Sequence, residues 1–212
     1  MLLLDEPLSN LDARIRVELR GEIRAVQQRV GITAIHVTHD REEAMVLADR
    51  IVVMNQGRIE QQGTPEEVYH KPVSPFVASF MGADNIVRLK VQSNGAGNVA
   101  ATFADDEEQT IARLPVGEGG VHLAAAPNSD AMDAYFRAEA VRLSALDEPP
   151  PPGSLGLAGA IEHASYPGGV WRYVVRAGAH RFVIDDPRKY QSGQHVRVML
   201  PATALHLFPS AN

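Results

Sequence analysis

The spacing of apolar residues changes along the chain, and each change predicts a different kind of element. Leu2, Leu3 and Leu4 form a short unbroken apolar run that ends in Asp5 and Glu6. Such a run reads as a buried strand with two acids at its C-terminal end. Pro7-Leu8-Ser9-Asn10 turns the chain, and apolar residues then recur at Leu11, Ile15, Leu19, Ile23, Val26 and Val30. That is a helical period, with Arg14, Arg16, Arg20 and Arg24 over the other faces and Gly31 as its stop. Ile32 to Val37 reads as a second strand. Asp40 is placed to cap a short helix reaching about Ala48, with Glu43 placed to bond back. Arg50 to Met54 reads as a third strand, and Asn55-Gln56-Gly57 turns it into a hairpin partner over Arg58 to Gln62. Thr64-Pro65-Glu66-Glu67 and Ser74-Pro75 are two further helix starts, the second leading through Phe76 to Met81 and ending at Gly82. This order of strands and helices predicts an α/β parallel sheet.

After Gly82 the period shortens. Alternating stretches appear at Ile86 to Val91, Val99 to Phe103, Ile111 to Leu114 and Val121 to Ala125. More follow at Ala140 to Leu143, Gly159 to Glu162, Trp171 to Arg176, His180 to Ile184 and His195 to Leu200. Closely spaced short strands punctuated by Gly, Pro, Asn and Asp predict an all-β barrel or sandwich. Pro149 to Pro152 reads as a rigid surface loop. The expected organisation is therefore an α/β domain over residues 1–82 and a β domain over 83–212.

Composition changes this picture little. The chain has 212 residues, 45% of them hydrophobic, and a net charge of −6. A packed core is expected, and no nucleic-acid partner is expected of this charge balance. The absence of Cys excludes disulfides and thiolate chemistry. No apolar run reaches the roughly 18–20 residues that span a bilayer, and the start does not read as a signal peptide. Direct membrane insertion is not expected, so any role at a membrane would pass through a protein partner.

The chemistry-bearing residues lie in the first third. Leu2-Leu3-Leu4-Asp5-Glu6-Pro7, Ser9-Asn10-Leu11-Asp12 and Val37-Thr38-His39-Asp40 occur in that order, joined by one helix and one strand. They resemble the Walker B strand, the D-loop and the switch-histidine segment of ABC-type importer ATPases. The resemblance implies a partial P-loop NTPase fold over residues 1–82. It implies that Asp5 holds Mg²⁺ through water, that Glu6 polarises the attacking water, and that His39 contacts the γ-phosphate of ATP. Ser9, Asn10, Leu11 and Asp12 would reach across an ATPase dimer. Pro75 to Gly82 resembles the helix that leads into a C-terminal TOBE domain, an OB-type β-barrel. Arg137-Ala138-Glu139 stands where relatives have Arg-Pro-Glu, and Leu205 to Phe208 resembles the usual last strand. The implied partners are the transmembrane permease subunits of an importer and a second copy of the subunit. The implied location is the cytoplasmic face of the plasma membrane.

The family's remaining segments have no counterpart here. The chain contains no Gly-Lys dipeptide and so no phosphate-cradling P-loop. The Gln-bearing loop and the Leu-Ser-Gly-Gly-Gln signature are also missing, and Ser192-Gly193-Gln194 reads as a turn between strands. The expectation is a fragment of the ATPase that is inactive alone. The alternative is a non-enzymatic regulatory or dimerisation module built on the β domain.

Other clusters carry less. His36 and His39 would point to opposite faces of a strand and make no metal pair. The acid run Asp105 to Glu108 reads as a solvated loop. Tyr166, Trp171 and Tyr173 could stack bases as OB barrels do. However, residues 83–212 hold 14 acids against 11 Lys or Arg, so core and barrel-lip positions are the expected reading.

Overall fold

The computed structural model describes residues 1–93, 97–104, 112–124 and 131–210. The acid run Asp105 to Glu108, Ile111 and Ala125 lie outside the described residues. The chain divides into two compact units, Met1–Pro72 and Val73–Asn212.

In the first unit, β1 (Leu2–Asp5) pairs in parallel with β2 (Ala34–Val37), with Leu4 opposite His36 and Asp5 opposite Val37. Parallel neighbours need a long crossover, which α1 (Ala13–Val30) supplies. Asp12 caps α1 by accepting from Ile15 N at 3.0 Å, and Gly31 ends it at φ 66°, a conformation cheap only for glycine. α2 (Arg41–Leu47) follows. β3 (Ile51–Asn55) and β4 (Arg58–Gly63) form an antiparallel hairpin. α3 (Pro65–His70) opens with a complete capping box. Glu67 N donates to Thr64 Oγ1, and Thr64 N donates to Glu67 Oε2.

One expectation fails here. β3 was expected to join a parallel sheet, but among the described residues it pairs with β4 alone, and the sheet it would extend stops at β1 and β2. The strand pair leaves Leu3 66% and Ile35 47% exposed, with Met54 and Ile59 open on the hairpin, which is the apolar surface expected of these strands when the segment stands alone. Two strands offer too few neighbours to cover their own apolar side chains.

The second unit begins with α4 (Pro75–Phe80), which the sequence placed with the α/β part. It packs instead with this unit. Ala78 and Ala83 cluster with Phe208, and Tyr135 lies against them. Arg137, buried, donates through Nε to Met81 O at 3.0 Å, satisfying a carbonyl at the helix end.

The β strands are β5 (Asn85–Ser93), β6 (Asn98–Phe103), β7 (Ala112–Pro115), β8 (His122–Leu123) and β9 (Met132–Phe136). β10 (Arg142–Ser144), β11 (Ser154–Gly168), β12 (Val170–Ala177), β13 (His180–Asp186), β14 (His195–Pro201) and β15 (His206–Pro209) follow. They form a six-stranded sheet in the order β7-β6-β5-β9-β15-β8 and a five-stranded sheet in the order β10-β14-β11-β12-β13. β9 has no counterpart among the expected strands. β11 is far longer than the expected Gly159 to Glu162. It pairs with β14 over Ser154 to Ala160, shifts register between Ile161 and His163, and continues with β12. Such a bulge bends one strand so that it can serve two neighbours around a barrel corner.

One core lies between the two sheets, with Val87, Leu89 and Phe136 from one and Ile161, Tyr173, Phe182 and Val198 from the other. Phe136 and Phe182 meet across it with ring centroids 5.3 Å apart. Truncating either to Ala would cost about 3–5 kcal/mol. Tyr173 is fully buried and donates its hydroxyl to Arg188 O at 2.8 Å. It is thus a core residue, while Tyr166 is exposed beside Trp171.

The edge strands β10 and β13 are joined by side chains rather than by a ladder. The fully buried Asp186 accepts from Leu143 N at 3.0 Å and from Arg188 N at 2.9 Å, and it pairs with the Arg188 guanidinium. Arg188 and Tyr190 in turn donate to Leu143 O. Burial pushes the Asp186 carboxyl up, but the Arg188 guanidinium and two backbone N–H groups outweigh it and hold the carboxyl below its usual range. A carboxyl depressed in the folded state stabilises above its unfolded value, near 3.8, and that contribution is lost as pH falls through the folded value. Asp186→Asn is expected to destabilise the chain by roughly 1–3 kcal/mol at pH 7. In urea melts, its deficit against the wild type should shrink below about pH 4. A deficit that stays constant down to pH 3 would remove the charge on Asp186 from the account.

Candidate functional site

The site forms where β1 ends. The ladder with β2 extends one rung past the strand, Glu6 N donating to Val37 O at 2.9 Å. Glu6 then adopts φ 44°, a left-handed conformation that costs a non-glycine residue on the order of 1 kcal/mol or more. Its carbonyl is held by Ser9, from Oγ at 2.9 Å and from N at 3.2 Å. Leu8, buried, anchors the turn. The left-handed bend ends the extended run of β1 at Glu6.

β2 ends next to it. The segment Thr38-His39-Asp40 leaves β2 and enters α2, and the His39 ring meets Glu6 just past the end of β1. Its Nδ1 lies 3.1 Å from Glu6 Oε1. A carboxylate only accepts, so Nδ1 donates and Nε2 is the ring nitrogen left for another contact. The pair is open to solvent, with His39 73% and Glu6 47% exposed at the side chain.

The other residues named from the sequence fall around this pair. Asp5 is exposed at the last position of β1. Ser9 is tied to Glu6 through the backbone carbonyl, whereas Asn10 and Leu11 continue the turn and Asp12 is spent on capping α1. His36 does not join His39. It sits 3.3 Å from Glu43 Oε2 in the interior. Among the described residues no group of three or more His, Asp or Glu could enclose a metal ion. Asp5 is a hard carboxylate at an open strand end, which suits Mg²⁺ held through water with phosphate oxygens supplying the remaining ligands.

The arginines of α1, which the sequence reading placed on the faces away from the apolar stripe without assigning them partners, are drawn into ion pairs. Arg20 is buried and bridges Asp40 at 3.1 Å and Glu42 at 3.2 Å, while Arg16 joins Asp40 at 3.2 Å. One turn on, Arg24 donates to Asp49 and holds that carboxyl below its usual range. The signal was present as Arg16, Arg20 and Arg24 at four-residue spacing, one stripe of a helix. Opposite them stand Asp40, Glu42 and Asp49. The stripe docks α1 on the segment that carries His39.

Glu43 was also placed differently. It was expected to close a capping box on Asp40. Asp40 does cap α2, accepting from Glu42 N at 2.8 Å and Glu43 N at 3.3 Å. Its own N–H, however, donates to Thr38 Oγ1 at 2.9 Å, and Thr38 Oγ1 donates onward to Glu43 Oε2 at 2.7 Å. A threonine hydroxyl is inserted into the box.

Residues 135–208 match the family described as TOBE domain. The chain is 49% identical over 149 residues to the sn-glycerol-3-phosphate import ATP-binding protein of Rhizobium johnstonii, covering 70% of this chain and 38% of that one. It is 39% identical over 186 residues to the Fe(3+) ions import ATP-binding protein of Agrobacterium fabrum, covering 88% of this chain and 48% of that one. The chain thus spans less than half the length of these relatives. Among solved structures, a molybdate-bound crystal form of a cytoplasmic molybdate-binding protein aligns at TM-score 0.43 and 11% identity, over 60% of this chain and 96% of that one. The homologues of this chain are ABC importer ATP-binding subunits, and its residues 135–208 match a TOBE domain.

Proposed function

We propose that this chain supplies the water-activating half of an ATP site in the ATP-binding subunit of an ABC importer. The observation that carries this reading is the meeting of Glu6 and His39, 33 positions apart in sequence, at the ends of two adjacent parallel strands. Ligands of parallel sheets bind outside the C-terminal ends of the strands. A half-exposed carboxylate held in a left-handed bend is oriented yet reachable by water, as a general base must be. His39 donates to Glu6 through Nδ1 and, with the ring doubly protonated, would donate from Nε2 to the γ-phosphate, since carboxylate and phosphate oxygens both accept. Asp5 is the residue that would hold Mg²⁺, which when bound offsets phosphate charge during transfer. The chain holds no Gly-Lys, so the phosphates must be cradled by residues other than these 212.

The same reading places the D-loop residues Ser9 to Asp12 toward a second copy of the subunit and the whole protein on permease subunits at the inner face of the membrane. No helix among the described residues is long and apolar enough to cross a membrane. The separate core of the β unit supports a second reading, a regulatory or dimerisation module that folds and acts without nucleotide.

With a phosphate-cradling segment supplied in cis or as a separate chain, Mg²⁺-dependent hydrolysis is expected. Glu6→Gln should then slow single turnover by roughly 10²-fold or more while leaving ATP affinity nearly unchanged. Asp5→Asn should raise the Mg²⁺ requirement. Near-normal turnover in Glu6→Gln would take Glu6 out of the base role. The 212 residues by themselves should show no micromolar ATP binding in calorimetry, because Asp5 and Glu6 repel a polyphosphate. Micromolar affinity would show that the phosphates find their cradle within this chain.

A further inference from the structure

We infer that Glu43 is a positioning residue for His39, acting through the hydroxyl of Thr38. This rests on the reading of His39 as the group that faces the γ-phosphate.

Glu43 is 2% exposed, and a buried carboxylate must find donors. It finds two on one oxygen. Thr38 Oγ1 donates to Oε2 at 2.7 Å, and His36 Nε2 lies 3.3 Å from the same atom. The Thr38 hydroxyl has one proton. Having given it to Glu43, it faces Asp40 N as an acceptor, at 2.9 Å. The order of donation is therefore fixed, from the Asp40 amide to the Thr38 hydroxyl to the Glu43 carboxylate. Bonds in such a chain strengthen one another.

His39 is the one residue between Thr38 and Asp40. Both of its neighbours are held by the chain of bonds, and Asp40 is held again by α2 amides and by Arg16 and Arg20. Glu43 closes the ring, because its own N–H donates back to Asp40 Oδ1. Among the described residues the His39 side chain has one polar contact, Glu6, and it is 73% exposed. Its backbone must therefore set where the ring stands. A direct capping box, as at Thr64 and Glu67, would secure the helix start alone. The inserted hydroxyl secures the residue before His39 as well.

The test compares the wild-type chain with Thr38→Val, Glu43→Ala, and the conservative pair Thr38→Ser and Glu43→Gln, which keep a hydroxyl and an acceptor oxygen. Amide hydrogen exchange and the His39–Glu6 contact are read by NMR on the full 212 residues. In Thr38→Val and Glu43→Ala, the Asp40 amide should exchange about 10-fold faster or more. The contact between His39 and Glu6 should weaken, while the capped Ile15 amide of α1 keeps its rate. Thr38→Ser and Glu43→Gln should restore most of both. In the subunit completed with its phosphate-cradling segment, the disruptive variants should lower kcat about 10-fold and leave KM nearly unchanged. Unchanged Asp40 exchange and an intact His39–Glu6 contact in Thr38→Val and Glu43→Ala would overturn the proposal. So would equal acceleration of all first-unit amides, which would make Glu43 a general support of the fold. If the NMR readouts respond as expected but His39→Ala leaves hydrolysis untouched, the relay stands and the catalytic reading of His39 falls.

Discussion

The parallel pairing of β1 with β2 is the constraint from which the candidate site follows. Asp5 and Glu6 are strand-end acids like many others until β2 is laid beside them in the register that puts Asp5 opposite Val37. A shift of one residue would turn every side chain of β2 to the other face and carry His39 away from Glu6. The register is held from both ends. Leu2 N donates to Thr33 O at one end and Glu6 N to Val37 O at the other. α1 makes the crossover, and its arginine stripe grips Asp40, Glu42 and Asp49 on the far side of β2. The same ion pairs that hold the helix thus also hold the segment on which His39 sits. Arg20 is buried, so removing an acid it meets would leave a poorly solvated cation, a larger loss than a surface pair would suffer.

The β unit solves a different problem with similar means. Its five-stranded sheet has two edges, and unpaired edges invite association. Asp186 and Arg188 bring β13 to β10 by binding both the N–H and the C=O of Leu143, as a neighbouring strand would. Asn85 does the same from the other sheet, exchanging bonds with Val183 N at 2.7 Å and Val183 O at 2.8 Å. Asp186 and Asn85, both buried, thus stand in for ladder hydrogen bonds, which explains why a mostly apolar core retains them.

The sequence revealed most where periodicity is long or motif order is strict. α1 repeats its apolar period over 18 residues and carries both caps, so its existence and its end at Gly31 could be read directly. The β character after Gly82 was equally plain, but two strands were not. β11 is interrupted in sequence by Gly156 and Gly159, which look like breaks. At Gly159 a Cβ would stand 2.7 Å from Arg176 O, so glycine there allows close strand approach rather than ending the strand. β9 alternates correctly from Met132 to Phe136 but is only five residues long. In the site, Glu6 and His39 were identified by residue type and order, whereas their 3.1 Å contact depends on pairing that no local pattern specifies. Glu43 and Arg20 stayed hidden for a related reason. A charged residue on a helix is read as solvated, and burial of a charge appears only once its partners, 5 to 22 positions away, have been brought in by the fold.

Glu6 and His39 are proposed to act as one unit because the β1–β2 register makes them neighbours. The most direct measurement is a double-mutant cycle on single-turnover hydrolysis, with Glu6→Gln, His39→Ala and the double variant in the subunit completed with its phosphate-cradling segment. Residues that act as a unit show strongly non-additive effects. The double variant should be about as slow as the slower single variant. Losses that multiply, each independent of the other, would contradict the claim.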